Sequence, residues 1–324
     1  MSLRLLEDIR NQPGSLRSVL RYQMGEGRAA LETAAVAVKQ AERLIVTGMG
    51  ASLFAAMPLA YELLNCWIVE TSDLLHFRSE MCREATVLVV SRSGESVEAV
   101  KLLPVLKRLR AKVIGITNGP SSTLARESDY CVLVNSRHDE MVALQSYTGS
   151  MLALLLLASP DDEAETAIAQ VQEMIAECEK ADPWPLERTV YVLGRGPSLA
   201  SAHEGALLFH ETAKFPAISM EAGSFRHGPM EVVDADFRAI LFASQPATRD
   251  LDRNLADDLR TLGGQVQLIA VDDVPQRFVP MVEIVPVQFA AMRLAQSRGF
   301  RPGEFRYLTQ VTQSESGLSP RPRN

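Results

Sequence analysis

Short β-branched apolar runs alternate along the chain with longer stretches in which apolar residues recur every three or four positions. The short runs predict buried strands over residues 43–47, 67–71, 87–90, 112–117 and 130–135. The stretches between them predict helices. Strands and helices that alternate in this way are typical of a parallel, doubly wound α/β sheet.

The helical stretches have different lengths. The first is predicted over residues 3–20, with a break at Gln12–Pro13, because proline lacks the amide hydrogen that a helix interior needs. The spacing of apolar residues then predicts helices over 24–41, 53–64, 97–110 and 121–128, and one long helical stretch over 147–181.

The same order of elements occurs twice. Residues 44–52 correspond to 190–198 at an offset of 146, and residues 87–92 correspond to 240–245 at an offset of 153. Residues 112–116 match 265–269, again at 153. The chain is therefore predicted to contain two flavodoxin-like α/β domains related by internal duplication.

Two prolines at 183 and 185 interrupt the pattern between the copies. We predict an N-terminal helical segment over residues 1–28, a first domain over 29–160 and an acidic helix with a linker over 161–185. A second domain over 186–312 and a disordered tail over 313–324 complete the prediction.

Composition narrows the functional classes. The chain has 324 residues, 47% hydrophobic and 23% charged, with a net charge of −7, so it carries no basic field for nucleic acid. The most apolar run, residues 151–158, is too short to cross a bilayer, and the N-terminus has no signal-peptide core. The four cysteines are scattered and predict reduced thiols. We expect a cytoplasmic protein without metal, organic cofactor or membrane contact.

One loop carries candidate chemistry. The strand at 87–90 is followed by Ser91, Arg92, Ser93, Gly94 and Ser96, and a helix begins directly afterwards. Unpaired amides at a helix N-terminus, serine hydroxyls and a guanidinium group together favour an anion such as phosphate. The alternative is that Ser96 is only an N-cap and Ser93–Gly94 only a turn. Three serines around one arginine favour the phosphate site.

The second copy lacks this loop, and Gln245–Pro–Ala stands in its place. It gains instead a charged segment with Glu204 and Glu211, seven residues apart and therefore on one helical face, and a loop ending in Arg226–His–Gly–Pro229. We favour functional roles for Glu211 and His227 over packing or surface roles. The other four histidines are interpreted as structural.

These motifs together resemble the double sugar-isomerase (SIS) domain family, over nearly the whole chain. The resemblance implies that the phosphate of a sugar is held by Ser52, Ser91, Arg92, Ser93 and Ser96. It implies further substrate contacts at Gly48, Gly50 and Gln310. It also implies that Glu211 moves protons between C1 and C2, and that His227 opens the sugar ring and reaches the neighbouring subunit's site in a homodimer.

The chain departs from the synthases of this family at three lysines, which are replaced by Leu208, Ser146 and Gln310. Residue 2 is serine, so we expect a glutamine-independent protein without a glutaminase domain. Without a lysine to form an imine, a substrate that brings its own nitrogen is favoured. We predict deamination or deglycation of a 6-phosphorylated amino sugar or fructosamine. Plain aldose–ketose isomerisation and a non-catalytic sugar-phosphate sensor are the alternatives.

Overall fold

A computed structural model describes residues 4–159 and 163–316. These residues form two compact units, each interrupted along the chain. The five-strand unit contains residues 14–139, 143–159 and 305–316, and the four-strand unit contains residues 4–13, 140–142 and 163–304. Each unit is named after its sheet.

The five-strand unit is built on an all-parallel sheet with the strand order β2-β1-β3-β4-β5. Its strands in the described residues are β1 Leu44–Gly48, β2 Cys66–Glu70, β3 Thr86–Val90, β4 Lys112–Thr117 and β5 Tyr130–Leu133. Every residue of β1 and β3 is buried, as expected for central strands covered on both faces. The predicted doubly wound, flavodoxin-like order is thereby confirmed.

Helices cover this sheet. The helices associated with it are α1 Arg4–Met24, α2 Arg28–Lys39, α3 Ala51–Ala56, α4 Leu59–Glu62, α5 Thr71–His76, α6 Val97–Arg108, α7 Thr123–Glu127 and α8 Gln145–Ala158. Helix α8 is buried along its whole length, which explains its uniformly apolar second half. The division between the two units falls within α1.

The four-strand unit repeats the arrangement with the order β7-β6-β8-β9, also all parallel. Its strands in the described part of the chain are β6 Val190–Gly194, β7 Ala217–Glu221, β8 Arg238–Phe242 and β9 Gln265–Ile269. Its helices are α9 Ala164–Lys180, α10 Ser198–Leu208, α11 Ala222–Phe225, α12 Arg249–Thr261, α13 Val279–Glu283 and α14 Val285–Ser297.

Sheet register refines the offsets of the duplication. Leu44 pairs with Thr86 in the first sheet, and Val190 pairs with Arg238 in the second. The offset of 146 therefore holds for β1 and β6, but β3 and β8 are related by 152 residues, so the predicted 153 is wrong there by one. For β4 and β9 the offset of 153 is confirmed. The second copy therefore has one more residue between β8 and β9 than the first copy has between β3 and β4.

Three predictions of where helices are broken or continuous were wrong. Helix α1 runs through Pro13 without a break, because Ile9 and Leu16 on either side are fully buried and packing outweighs one lost hydrogen bond. Its predicted first residue, Leu3, lies outside the described residues. The helix predicted over 53–64 is divided at Met57–Pro58 into α3 and α4. The stretch predicted over 147–181 is divided into α8 and α9, with residues 160–162 outside the described part.

One continuous helical stretch, Gln276–Ser297, is long and apolar enough to cross a membrane by length and composition alone. Its apolar window is 89% buried within the protein, as in the core helix of a globular unit. The apolar composition of α13 and α14 is thus explained by packing.

Candidate functional site

The strand order places a topological switch point between β1 and β3 in the five-strand unit. At such a point the loops that follow the two strands diverge to opposite faces of the sheet and leave a crevice at its carboxyl edge. Here those loops are the glycine loop, residues 48–52, and the serine loop, residues 91–96. The residues expected to hold phosphate all lie in these two loops.

The glycine loop approaches the neighbouring backbone closely. A Cβ atom added to Gly48 would lie 3.0 Å from the amide nitrogen of Leu53 and 3.0 Å from the carbonyl oxygen of Val90. Gly50 has a φ of 49°, which favours glycine. The loop leads directly into α3, whose second residue, Ser52, is partly exposed.

The serine loop brings two of its hydroxyls, those of Ser91 and Ser96, together at the start of α6. Ser91 is buried, its Oγ accepts a hydrogen bond from the Gly94 amide at 3.1 Å, and it lies 3.2 Å from Ser96 Oγ. Ser96 is the N-cap residue of α6, but its hydroxyl makes no capping hydrogen bond. Ser93 Oγ accepts from the amide of Glu95 at 3.1 Å. The hydroxyl of Ser96 is therefore turned into the loop.

Gly94 and Glu95 fix the loop against α7. Gly94 has a φ of 66°, and an added Cβ would lie 2.1 Å from Ser122 Oγ. The Glu95 carboxylate accepts hydrogen bonds from the backbone amide and the hydroxyl of Thr123, at 2.7 and 3.0 Å. The glutamate of the motif thus holds the first turn of α7.

A C-terminal segment, residues 305–316, crosses the start of α6 within the same unit. Arg92 Nη2 donates to the carbonyl oxygen of Gln310 at 3.1 Å, and the amide of Val97 donates to the carbonyl oxygen of Thr312 at 3.1 Å. Glu315 pairs with His76 at 2.8 Å and with Lys101. The disordered tail was predicted from residue 313, but residues 313–316 belong to this segment and include the paired Glu315, while residues 317–324 lie outside the described residues.

Asp139 is a buried carboxylate that the sequence interpretation missed. Its side chain accepts from the amides of Gln145 and Ser146 at the N-terminus of α8 and from the Ser146 hydroxyl. Its backbone carbonyl accepts from Gln310 Nε2 at 3.3 Å. Burial raises the pKa of Asp139 above its usual value, against these hydrogen bonds and the nearby Arg92 charge. The sequence does not reveal this capping interaction, because Asp139 lies six and seven residues before the amides that it accepts from, whereas a usual N-cap lies two or three residues before them.

Glu211 lies in the four-strand unit, where α10 changes its hydrogen-bonding pattern. Residues Phe209–Ala213 form a π-helical turn directly after α10, and Lys214 ends it with a φ of 53°. The predicted shared face of Glu204 and Glu211 assumed an unbroken α-helix, whereas Glu211 lies in the π-helical turn that follows α10. Glu204 is buried in α10, whereas Glu211 is partly exposed.

His227 is exposed on a loop that is anchored on both sides. Two residues before it, Phe225 packs edge-on against Tyr191, with ring centroids 5.5 Å apart. Directly after it, Gly228 has a φ of 129°, which only glycine adopts readily, and Pro229 starts a 3₁₀ turn. Arg226 is held by Asp258 at 2.8 Å. The imidazole is thus presented outward from a fixed backbone.

The structure brings the phosphate candidates together with Gln310 in the five-strand unit. The residues that share this unit are Ser52, Ser91, Arg92, Ser93, Ser96, Gly48, Gly50 and Gln310. Glu211 and His227 both belong to the four-strand unit. Chemically, the first set can hold a phosphate through hydroxyls, amides and one guanidinium group, and the second supplies a carboxylate and an imidazole.

Comparison with known proteins identifies the family to which this architecture belongs. Residues 37–159 and 187–279, more than half of the chain, match the SIS domain family. Glutamine–fructose-6-phosphate aminotransferase (isomerizing) of Sulfurisphaera tokodaii is 27% identical over 96% of this chain and 56% of its own. The Pyrobaculum aerophilum protein of that name is 28% identical, over 96% and 57%. The chain spans about half the length of the curated relatives it matches.

Solved structures agree on the fold. Tagatose-6-phosphate ketose/aldose isomerase from Escherichia coli is similar with a TM-score of 0.80 and 23% identity, covering 92% of this chain and 94% of that one. Glucosamine-6-phosphate deaminase from Thermotoga maritima has a TM-score of 0.76 and 18% identity, covering 95% and 99%. With two flavodoxin-ordered parallel sheets and a match over both copies, the chain belongs to the SIS domain family.

Proposed function

We propose that the chain is a phosphosugar enzyme that deaminates or deglycates a 6-phosphorylated amino sugar or fructosamine by proton transfer at C1 and C2. The observation that carries the proposal is the serine loop at the β1–β3 switch point. The hydroxyls of Ser91 and Ser96 lie 3.2 Å apart at the start of α6, and Arg92 and Ser93 stand between them in the chain. Such a cluster suits a phosphate group better than a neutral ligand.

Glu211 is the proposed base. A carboxylate can take a proton from one carbon of an open-chain sugar and return it to the next, so that the double bond moves while the number of protons is unchanged. The π-helical turn supports this role, because such turns occur frequently at functional sites. His227, presented outward, is proposed to assist ring opening.

The absence of the three lysines found in the synthases of this family affects which reaction the chain can catalyse. Leu208, Ser146 and Gln310 offer no amine, so none of these three positions can form an imine with the substrate carbonyl. A substrate that already carries nitrogen at C1 or C2 supplies the imine or enamine on its own. Water then replaces the amine as the carbon–nitrogen bond breaks. This supports deamination or deglycation over amine transfer.

Plain aldose–ketose isomerisation is the second candidate, since it needs the same base and no amine. A non-catalytic sugar-phosphate sensor is the third. The outward presentation of His227 by an anchored loop argues for catalysis over sensing, because binding of phosphate alone needs no such group.

We further propose that the chain acts as a cytoplasmic homodimer in which His227 serves the partner's site. His227 is exposed in the single chain, which supports this assignment. An imidazole that faces solvent on its own subunit can reach a substrate bound to a second subunit in a two-fold dimer.

The test uses pure protein and a panel of 6-phosphorylated amino sugars, fructosamines and simple ketoses. Released amine and interconverted sugar are measured in parallel, with calorimetry for binding. The Ser93→Ala, Ser96→Ala double variant is expected to bind about a hundredfold or more weakly, since it loses two hydrogen bonds to a charged group, each of which contributes about 1.5–3 kcal/mol. Ser297→Ala, a serine of the other unit, is the control.

Amine release establishes deamination or deglycation, and sugar interconversion alone establishes the plain isomerase. Tight binding without turnover of any compound establishes the sensor. Unchanged affinity in the double variant would remove the serine loop from the site.

A further inference from the structure

The four-strand unit has a switch point of its own, between β6 and β8. Ser198, at the start of α10, follows β6 just as Ser52 follows β1, at the confirmed offset of 146, and the glycines before them share a positive φ of 54° and 49°. Ser244 follows β8, one residue beyond the register counterpart of Ser91. The duplicated crevice therefore retains hydroxyls from both loops.

This second crevice is occupied by a side chain of the protein. Glu283, the last residue of α13, is 0% exposed, and its Oε1 accepts a hydrogen bond from Ser201 Oγ at 2.8 Å. The hydroxyls of Ser198 and Ser244 also lie close enough to stabilise its charge. Its Oε2 has no hydrogen bond of normal geometry in the described structure.

The two crevices differ in exposure. Ser198, Ser201 and Ser244 are at most 1% exposed, whereas Ser93 and Ser96 of the serine loop are partly exposed. Gln245, at the place in the second copy that corresponds to the serine loop, is buried and donates to Ser198 Oγ at 3.3 Å. No external ligand is needed to satisfy these hydroxyls.

The charges around Glu283 do not neutralise it. Asp252 of α12 faces it and raises its pKa further, and Arg195, after β6, is engaged by Asp252 at 2.7 Å and by Glu221 at 3.4 Å. Arg249 of α12 pairs with Asp272 at 2.7 Å, and Arg277, before α13, stacks on Phe278. The serines of α10 and of the β8 loop are neutral. Burial, above all, raises the pKa of Glu283 to about 7.

We propose that Glu283 is a built-in ligand, a carboxylic acid that fills the second crevice in the place where the proposed function puts a phosphate in the first. The unit that carries Glu211 and His227 is then fully packed only while this acid keeps its proton. The duplicated site has become a pH-sensitive part of the core.

The first test follows unfolding of the full chain as a function of pH. The pKa of Glu283 rises from 4.5 to about 7 on folding, so the folded state binds more protons between these values and loses stability as pH rises through them. Relative to Glu283→Gln, the wild-type unfolding constant should increase up to about tenfold per pH unit between about pH 5 and 7 and stay level above that.

Glu173→Gln, an exposed carboxylate of α9, is the matched control and should leave the wild-type pH dependence unchanged. A wild-type curve parallel to that of Glu283→Gln from pH 5 to 8 would overturn the proposal, because Glu283 would then titrate as in the unfolded chain.

The second test asks whether the crevice accepts a free carboxylic acid once Glu283 is removed. In Glu283→Ala, sodium acetate should raise the midpoint of thermal unfolding at mildly acidic pH, while sodium chloride at equal ionic strength should not. Met281→Ala, which empties a fully buried apolar position in the same helix, should show no acetate effect. A folded Glu283→Ala protein indifferent to acetate overturns the proposal. If that variant does not fold, the pH comparison decides.

Discussion

Glu211 combines an acidic side chain with an unusual backbone. The π-helical turn at 209–213 adds one residue to the helical repeat, and Lys214 donates from its Nζ to the carbonyl oxygen of Glu211 itself. The backbone of Glu211 is thus fixed by the π-helical turn and by the Lys214 side chain. Turns of this kind occur frequently at functional sites.

Replacing Glu211 with Gln tests whether this carboxylate is the base. The amide keeps the size of the side chain but cannot abstract a proton, so turnover should fall by about 10²–10⁴-fold while phosphosugar affinity stays nearly constant. Exchange of the C1 or C2 proton with deuterated water, followed by NMR, measures the step directly. Glu177→Gln, exposed on α9, is the control. Exchange as fast as in the wild type would mean that the base lies elsewhere.

Some site residues were predictable one by one and others were not. Ser91, Ser93 and Ser96 are neighbours in sequence, so their proximity follows from a single strand–loop–helix pattern. Asp139 and Glu283 gave no such signal, because an isolated carboxylate reads as a surface residue until the fold buries it. Their partners, Ser146 and Ser201, come from other elements.

At the scale of elements, the serine loop depends on one glycine. Gly94 has a φ of 66° and lies against Ser122, the residue that caps α7. The loop therefore closes only if this position has no side chain.

Gly94→Ala should destabilise the five-strand unit through two effects. The left-handed conformation costs about 1–2 kcal/mol for a residue with a Cβ, and the overlap with Ser122 adds about 1–3 kcal/mol. Gly299→Ala isolates the first effect, since Gly299 has a φ of 74° and no atom within 4 Å of an added Cβ. Denaturant unfolding compares the two. Equal losses would show that the contact with Ser122 relaxes freely.

The strands were easier to predict than the helices. Buried parallel strands such as β1 and β3 are continuous apolar runs bounded by glycine and serine, and each appeared within a residue of its predicted place. Helix continuity depends on packing and on single residues. Pro13 is carried through α1, while Pro58 divides α3 from α4. The π-helical turn is invisible in a sequence, because one extra residue barely alters the apolar spacing.

At the scale of the whole molecule, the duplication organises the chemistry. Both sheets share one strand order, yet the first copy keeps an accessible hydroxyl loop and the second keeps Glu211 and His227. The sequence predicted this division, since Gln245–Pro–Ala interrupts the loop in the second copy. The sequence could not predict that the buried side chain of Glu283 would occupy the second crevice.

Assembly can be tested by mixing inactive subunits. If the serine loop of one chain works with His227 of its partner, each heterodimer of Ser93→Ala, Ser96→Ala with His227→Ala contains one intact site. Random re-association should then restore about a quarter of wild-type turnover. Either variant alone, unfolded and re-associated with itself, is the control. A fully active monomer, or a mixture as inactive as its components, would exclude sites shared in this way.

Each unit is assembled from separate stretches of the chain, so neither half of the sequence contains a complete unit. The five-strand unit draws on residues after 304 as well as on those around 14–139, and the four-strand unit draws on residues 4–13 as well as on 163–304. A protease that cuts at Asp182–Pro185 would cut within the four-strand unit and would put residues 14–159 and 305–316 of the five-strand unit on different fragments. Half-length fragments should therefore be recovered folded only when both are expressed together, and a frameshift late in the gene would damage the unit that is encoded first.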